Sequence, residues 1–289
     1  MTDTLPTPAG DAIPEVPVQT EGDVEHTITG DVRTHEAFHS RFLEHDRTVL
    51  VYLPPNYDPE SADRYPVLYL HDGQNVFDRA TSFGEEWHVD EFAEELIRAG
   101  EIEPLIVVAI YNTGEHRVDE YTPTPNAELG RGGHADDYGR MLVEELKPFI
   151  DVTYKTLPSA ASTALGGSSL GGLLTMYLGL RYPTAFGRLA VMSPSVWWDN
   201  LVLLRDVEAL TGKLPQRIWL DAGTEEGDDT LEHVRALRDA LVAKGWTIGD
   251  DLAYLEEEGG GHHEQSWGMR VERVLKFLFP HNRPAPNAS

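Results

Sequence analysis

The sequence predicts an α/β domain with a mostly parallel central sheet, an antiparallel hairpin at its start and helices on both faces. Three observations carry that prediction. Short apolar runs alternate with helix-patterned segments from residue 66 onward, the order that gives parallel strands joined by right-handed crossovers. The runs Pro66–Leu70 and Leu105–Tyr111 are apolar without alternation, so both faces of those strands must be covered. The stretch Gly167-Ser168-Ser169-Leu170-Gly171 stands between an apolar strand starting at Thr163 and an apolar helix from about Leu170 to Leu180. That is the strand, sharp turn and helix that hold a serine at the top of a sheet.

Taken in order, residues 1–25 carry Pro and acidic residues with neither Lys nor Arg, and are predicted to be a disordered lead-in. They lack the basic start and apolar core of a secretory signal, so a cytoplasmic protein is the expectation. One domain is expected over 26–281, with a flexible tail at 282–289. The extended runs AFHSRFLEH and RTVLVYLPP flank a polar turn at Glu44 to Arg47 and predict the opening hairpin. Val67–Leu70 follows as a buried strand, ending in His71-Asp72-Gly73-Gln74-Asn75, a polar loop at a carboxyl end where open α/β sheets place their sites. Val89, Phe92, Ala93, Leu96 and Ile97 recur at helical spacing before Gly100, a C-cap signal. After the strand at Leu105–Tyr111 comes a long loop, 111–137, of the kind that is functional or mobile. A helix is expected from about Asp136 to Ile150, bent or ended by Pro148. Beyond the Ser169 unit the spacing predicts strands at 188–192, 216–220 and 252–255, and helices at 200–210 and 230–244. A final helix should contain Trp267, Val271, Val274, Leu275 and Leu278.

Composition narrows the partners. There are 49 Asp+Glu against 23 Lys+Arg, a formal charge of -26, and such a field repels phosphate backbones and anionic lipid surfaces. Nucleic acid and membrane partners are therefore not expected, and no apolar run approaches the roughly 20 residues of a membrane span. With no cysteine, disulfides, thiolate metal sites and cysteine nucleophiles are excluded. The sequence does not specify an oligomeric state.

A serine hydroxyl needs a base to take its proton and a third group to orient that base. Glycines two before and two after the nucleophile permit the close helix–strand approach, and moving the frame by one would need Gly at position 170, where Leu stands. Ser169, not Ser168, is thus the candidate. The order expected on such a sheet is serine, acid, histidine; here Ser169 is followed by the acidic loop 221–229 and then by His262 or His263. The backbone N–H of Leu170, at a helix N-terminus, is one candidate oxyanion donor. Metal motifs fail: His263-Glu264 has no His at 267, and HDGQNVFD lacks the spaced acids of a calcium loop. No metal and no cofactor are expected.

Residues 26 to 280 resemble the putative-esterase family of α/β hydrolases, which includes siderophore esterases, feruloyl esterase domains, S-formylglutathione hydrolases and mycolyltransferases. The resemblance rests on RTVLVYLPPNYD, YPVLYLHDGQNVFD, Arg117 to Pro123, LGGSSLGGLLTMYLGLRYP, SPSVWW, AGTEE and GHHEQSW, in that order. It implies an α/β-hydrolase fold and a carboxylic-ester hydrolase acting on a small-molecule ester through an acyl-enzyme. Acyl transfer to an alcohol or sugar, or a non-catalytic binding module, are the alternatives. The family's acid falls on Glu226, with Asp221, Glu225 and Asp228 close by, and its histidine on His262. Its second oxyanion donor falls on Gln74, or on Gly73. Trp197 and Trp198, with Trp87, Arg117, Tyr121 and Asp72, are the candidate substrate-binding residues. A cation at Arg117 beside aromatics would suit an acidic or catechol-bearing ligand, unless it pairs with Asp119 or Glu120.

Overall fold

The computed structural model describes residues 25–127 and 129–281; the expected lead-in and tail therefore lie outside the described residues, except for Glu25. In chain order, β1 (Asp31–Phe38) and β2 (Arg47–Leu53) form the hairpin, followed by β3 (Val67–Leu70), α1 (Val89–Arg98), β4 (Ile106–Ile110) and α2 (Arg117–Tyr121). A small ribbon of β5 (Pro125–Asn126) and β6 (Arg131–Gly132) precedes α3 (Ala135–Arg140) and α4 (Lys147–Thr153). The second half contains β7 (Thr163–Ser168), α5 (Leu170–Arg181), β8 (Arg188–Met192), α6 (Trp198–Ala209), β9 (Arg217–Gly223), α7 (Asp228–Lys244), β10 (Leu252–Glu257), α8 (Glu264–Gly268) and α9 (Val271–Leu278).

Eight strands form one sheet in the order β1-β2-β4-β3-β7-β8-β9-β10. The pairings β1–β2 and β2–β4 are antiparallel and all others parallel. β7 lies in the middle with every residue buried. Its carboxyl end, the ends of β3 and β4 and those of β8, β9 and β10 all open on the same edge of the sheet. One core cluster, with Tyr69, Leu165, Leu173 and Val191, fills one face, and a second, with Leu68, Phe77, Trp87 and Trp267, fills the other. α5 is buried along most of its length, which explains its apolar sequence.

Four expectations are corrected. β1 begins at Asp31, not at Ala37: its residues are half-buried or exposed, as on an edge strand, and its last residue, Phe38, packs on the core beside Phe42 and Leu43 of the connection that follows. The 111–137 stretch is partly ordered into α2 and the β5–β6 ribbon. Pro148 does not end its helix; the turns Met141–Leu146 are π-helical, and the wider winding carries the chain past a residue with no N–H into α4. The last helix is two, α8 and α9, separated at Met269 and Arg270.

Candidate active site

Ser169 has φ +57° and ψ −122°, a conformation that a side chain tolerates only when its surroundings enforce it. Here Ser169 N–H donates to Met192 O at 3.1 Å, and Ser169 O accepts from Leu173 N at 3.0 Å and Ser195 N at 3.0 Å. The flanking glycines are needed for space. A Cβ on Gly167 would sit 3.0 Å from Gly171 C and 3.0 Å from His71 Cδ2, and one on Gly172 2.7 Å from Met192 O.

Ser169 Oγ lies 2.9 Å from His262 Nε2, and His262 Nδ1 lies 2.9 Å from Glu226 Oε2. With the proton on Nδ1 donated to Glu226, Nε2 is left to accept from the serine hydroxyl. His263, the other candidate, instead caps α8, its Nδ1 accepting from Ser266 N at 3.3 Å. Of the alternative acids, Glu225 and Asp228 are exposed, and Asp221 is buried in an ion pair with Arg270 at 2.7 Å.

Glu226 has a fully buried side chain. Its Oε1 accepts from Ser193 Oγ at 2.5 Å and Gly223 N at 2.7 Å, with Arg270 Nη2 3.7 Å away. Ser193 Oγ in turn accepts from Trp267 Nε1 at 3.0 Å and Arg270 Nη2 at 3.1 Å, so its single proton is directed at Glu226. Burial disfavours the Glu226 carboxylate, but the hydrogen bonds from His262, Ser193 and Gly223 outweigh it and hold the group below its usual range. Trp267 also stands edge-on to the His262 ring, with centroids 5.0 Å apart.

Gly223 explains the Ala-Gly before the acid. A Cβ there would lie 2.1 Å from Gly260 O and 3.0 Å from Glu226 Oε1. Gly223→Ala is therefore expected to displace the 260 loop that carries His262, with a stability loss of about 1–3 kcal/mol. Chemical denaturation alongside steady-state kinetics checks both parts of that expectation.

Leu170 is the first residue of α5, where N–H groups have no partner within the helix. Gln74 sits in a single 3₁₀ turn, Gly73–Asn75, after Asp72, whose φ is +56°. Gly73 itself packs against β4 so closely that a Cβ would fall 2.5 Å from Ile110 N. The two candidate oxyanion donors thus belong to adjacent turns, since a Cβ on Gly171 would lie 3.3 Å from Asp72 Oδ2.

The candidate substrate residues separate into three kinds. Trp197 is half exposed, with its ring centroid 5.7 Å from that of Trp198. Trp198 is buried, and its Nε1 donates to Thr124 O at 3.1 Å. Trp87 and Tyr121, expected at the rim, are 2% and 0% exposed, because each ring fills a core layer. Trp87 packs against Trp267, and the Tyr121 hydroxyl accepts from Asp72 N. Arg117 pairs with neither Asp119 nor Glu120 but grips Asp72 through two bonds of 2.7 Å, lying over Tyr121. Glu120 is taken by buried Arg47. Asn112 Nδ2 also donates to Asp72 Oδ1 at 2.7 Å. Burial works against the Asp72 carboxylate, but Arg117 and Asn112 hold it below its ordinary value. Arg117 is thereby committed to an internal pair.

Sequence reasoning missed Ser193, Arg270, Asn112 and Glu264. Burial pushes the Glu264 carboxyl up, with Asp72 adding to the rise and Arg117 and His262 opposing it. Arg270 left one signal: it is a cation three after Trp267 and four before Val274, inside an otherwise apolar stripe.

A serine on a strand–helix elbow, with a histidine and an acid from later loops at the same sheet edge, defines an α/β hydrolase. Residues 40–278 match the family described as "Putative esterase", and the chain belongs to that family. Its activity class is carboxylic-ester hydrolysis. The uncharacterized protein YbbA of Bacillus subtilis is 29% identical, covering 89% of this chain and 99% of its own length. The ferri-bacillibactin esterase BesA of Bacillus subtilis is 28% identical, over 83% of this chain and 87% of its own. The solved IroE-like serine hydrolase from Shewanella oneidensis superimposes with a TM-score of 0.71 at 21% identity, over 86% of this chain and 80% of that one. No described helix is long and apolar enough to cross a membrane.

Proposed function

We propose that this protein hydrolyses carboxylic esters through an acyl-enzyme on Ser169, with His262 as general base and acid and Glu226 as its orienting carboxylate. The observation that carries the reading is the pair of 2.9 Å contacts, Ser169 Oγ to His262 Nε2 and His262 Nδ1 to Glu226 Oε2, at a strained elbow. Ser169 Oγ attacks the ester carbonyl as its proton passes to Nε2. The N–H groups of Leu170 and Gln74 receive the oxyanion, each worth roughly 3 kcal/mol. His262 then protonates the leaving alkoxide, and a water, deprotonated by the same Nε2, releases the acid and frees Ser169. A fluorophosphonate probe should label Ser169 stoichiometrically and abolish turnover; labelling elsewhere, with Ser169 unmodified, would refute the assignment.

For the substrate, the half-exposed Trp197 favours an ester with a flat aryl or acyl group, consistent with relatives named as siderophore and feruloyl esterases. Because Arg117 is neutralised by Asp72, an anionic ligand finds no free cation there. In a panel of aryl and alkyl esters, Trp197→Ala is expected to raise KM for aryl esters several-fold while leaving acetyl esters nearly unchanged.

Glu226→Gln is expected to lower kcat/KM by about 10³–10⁴-fold, since the amide can present an N–H to His262 Nδ1 and favour the wrong tautomer. A pH consequence follows from its depressed pKa. The stabilisation from Glu226 is fully present above the ordinary glutamate value of 4.5, and is lost as pH falls through the lower folded value. Urea midpoints measured from pH 6 to pH 3 should fall for the wild type and fall less for Glu226→Gln.

A further inference from the structure

Asp72 stands where the chain leaves β3 for the turn that carries Gln74, and more of the molecule converges on it than a turn residue needs. Its backbone is left-handed, with φ +56° and ψ +45°, in a residue that is 5% exposed. Outside glycine that conformation persists only where neighbouring groups enforce it. Arg117, the first residue of α2, grips the carboxylate with Nε on Oδ1 and Nη2 on Oδ2, both at 2.7 Å. Asn112, just beyond β4, donates from Nδ2 to Oδ1 at 2.7 Å. The Tyr121 hydroxyl accepts from Asp72 N at 3.2 Å, and Asp72 O accepts from Asn75 N at 2.9 Å across the turn. Tyr121 is itself held, its ring packed against those of His71 and Tyr138 with centroids 5.4 and 5.3 Å away.

The same contacts reach Gln74. Asn112 N donates to Gln74 Oε1 at 3.2 Å, and Gln74 O accepts from Thr81 Oγ1 at 2.8 Å. Asn112 thus holds Asp72 with its side chain and Gln74 with its backbone. On the other flank, a Cβ on Gly171 would lie 3.3 Å from Asp72 Oδ2, so the clamped carboxylate packs beside the first turn of α5, next to Leu170. A bare carboxylate there would oppose a developing oxyanion, and the guanidinium that fixes Asp72 also offsets its charge. A planar fork on a carboxylate sets orientation as well as distance, which a lysine cannot do.

The geometry points to Arg117 and Asn112 as positioning residues that, through Asp72, hold the Gly73–Asn75 turn so that Gln74 N–H faces the oxyanion. The inference rests on the acyl-enzyme reading above, in which Gln74 is one of the two donors. Neither positioning residue has to touch the ester. An oxyanion donor acts only if it is aimed before the charge develops, and a misplacement on the order of 1 Å costs about 100-fold in rate. The effect of loosening the turn therefore belongs to the transition state, and falls on kcat rather than on KM.

Arg117→Met is expected to lower kcat for a p-nitrophenyl ester by about 10–100-fold, with KM within about twofold of wild type. An aryl trifluoromethyl ketone, whose adduct with Ser169 Oγ places an oxyanion on the same donors, should lose affinity by the same factor as kcat/KM. Because Arg117→Met strands the Asp72 charge, Asp72→Asn is added in the same background to protect folding. Asparagine tolerates the left-handed conformation, and kcat should stay low because the fork is still missing. Asn112→Ala removes one donor to Asp72 but leaves the Arg117 pair, and should lower kcat less, again without raising KM. A raised KM with kcat unchanged in Arg117→Met would overturn the proposal by making Arg117 a substrate contact. Recovery of wild-type kcat in the double variant would overturn it by assigning the loss to stranded charge alone. Ser169→Ala, assayed alongside, keeps the two readings apart. If it is inactive while Arg117→Met is unimpaired, the positioning role alone fails; if it is active, the acyl-enzyme reading itself fails.

Discussion

Replacing Ser169 by alanine is expected to lower kcat/KM for ester hydrolysis by about 10⁴–10⁶-fold while leaving the fold intact. Without Oγ no acyl-enzyme can form, and only water held near the oxyanion donors remains to attack. The same position carries a second expectation from its backbone. At φ +57° and ψ −122° a side chain is strained, and alanine keeps that strain whereas glycine does not. Ser169→Gly should therefore be as inactive as Ser169→Ala, yet more stable than it by about 1 kcal/mol or more. Thermal denaturation of the three proteins beside a p-nitrophenyl ester assay measures both effects. Retention of more than about one part in a hundred of the activity by either variant would show that another group carries the reaction.

The elbow was legible because strand, turn and helix follow one another without interruption in the chain. Gly167 and Gly171 face each other four residues apart, which leaves a fixed spacing in the sequence, although the other atoms that crowd the three glycines come from His71, Asp72, Met192 and Pro194. The parallel sheet followed from the alternation of apolar runs and helix-patterned segments, because strands covered on both faces are apolar without interruption. The edge strand β1 was harder: with its residues half-buried or exposed it has no apolar alternation, and the more apolar stretch beside it drew the assignment. Trp87 and Tyr121 were placed at the rim because they lie in connections near strand ends, but an aromatic ring on a connection can turn inward as readily as outward. Arg117 shows the remaining kind of difficulty. Its partner Asp72 lies 45 positions away, beyond the Asp119 and Glu120 that local spacing suggested.

The largest effect on stability is expected at Arg270. Its side chain is fully buried, as is that of Asp221, with Nη1 2.7 Å from Asp221 Oδ1. Nε donates to Ser266 O at 3.1 Å, and Nη2 donates to Ser193 Oγ at 3.1 Å. Asp221 also accepts from Trp219 Nε1 at 2.6 Å and Ser193 N at 3.0 Å. Burial still pushes its carboxyl above the usual aspartate range, against the pull of Arg270. Arg270→Met keeps much of the volume but leaves an uncompensated carboxylate in the core, a change that costs about 3–5 kcal/mol. The sign with pH follows from Asp221. Without Arg270 its pKa rises further, so the variant is most destabilised where Asp221 must be ionised, and the gap from wild type closes as pH falls and the carboxyl takes up a proton. Asp221→Asn in the Arg270→Met background removes the charge and should recover most of the loss, as measured by urea unfolding at pH 7. If the double variant is no more stable than Arg270→Met alone, the cost lies in packing around Ser193 and Trp267 rather than in the stranded charge. Activity separates the two causes further. Ser193 keeps the proton it gives Glu226 in either variant, so turnover in the folded fraction should fall far less than it does in Glu226→Gln.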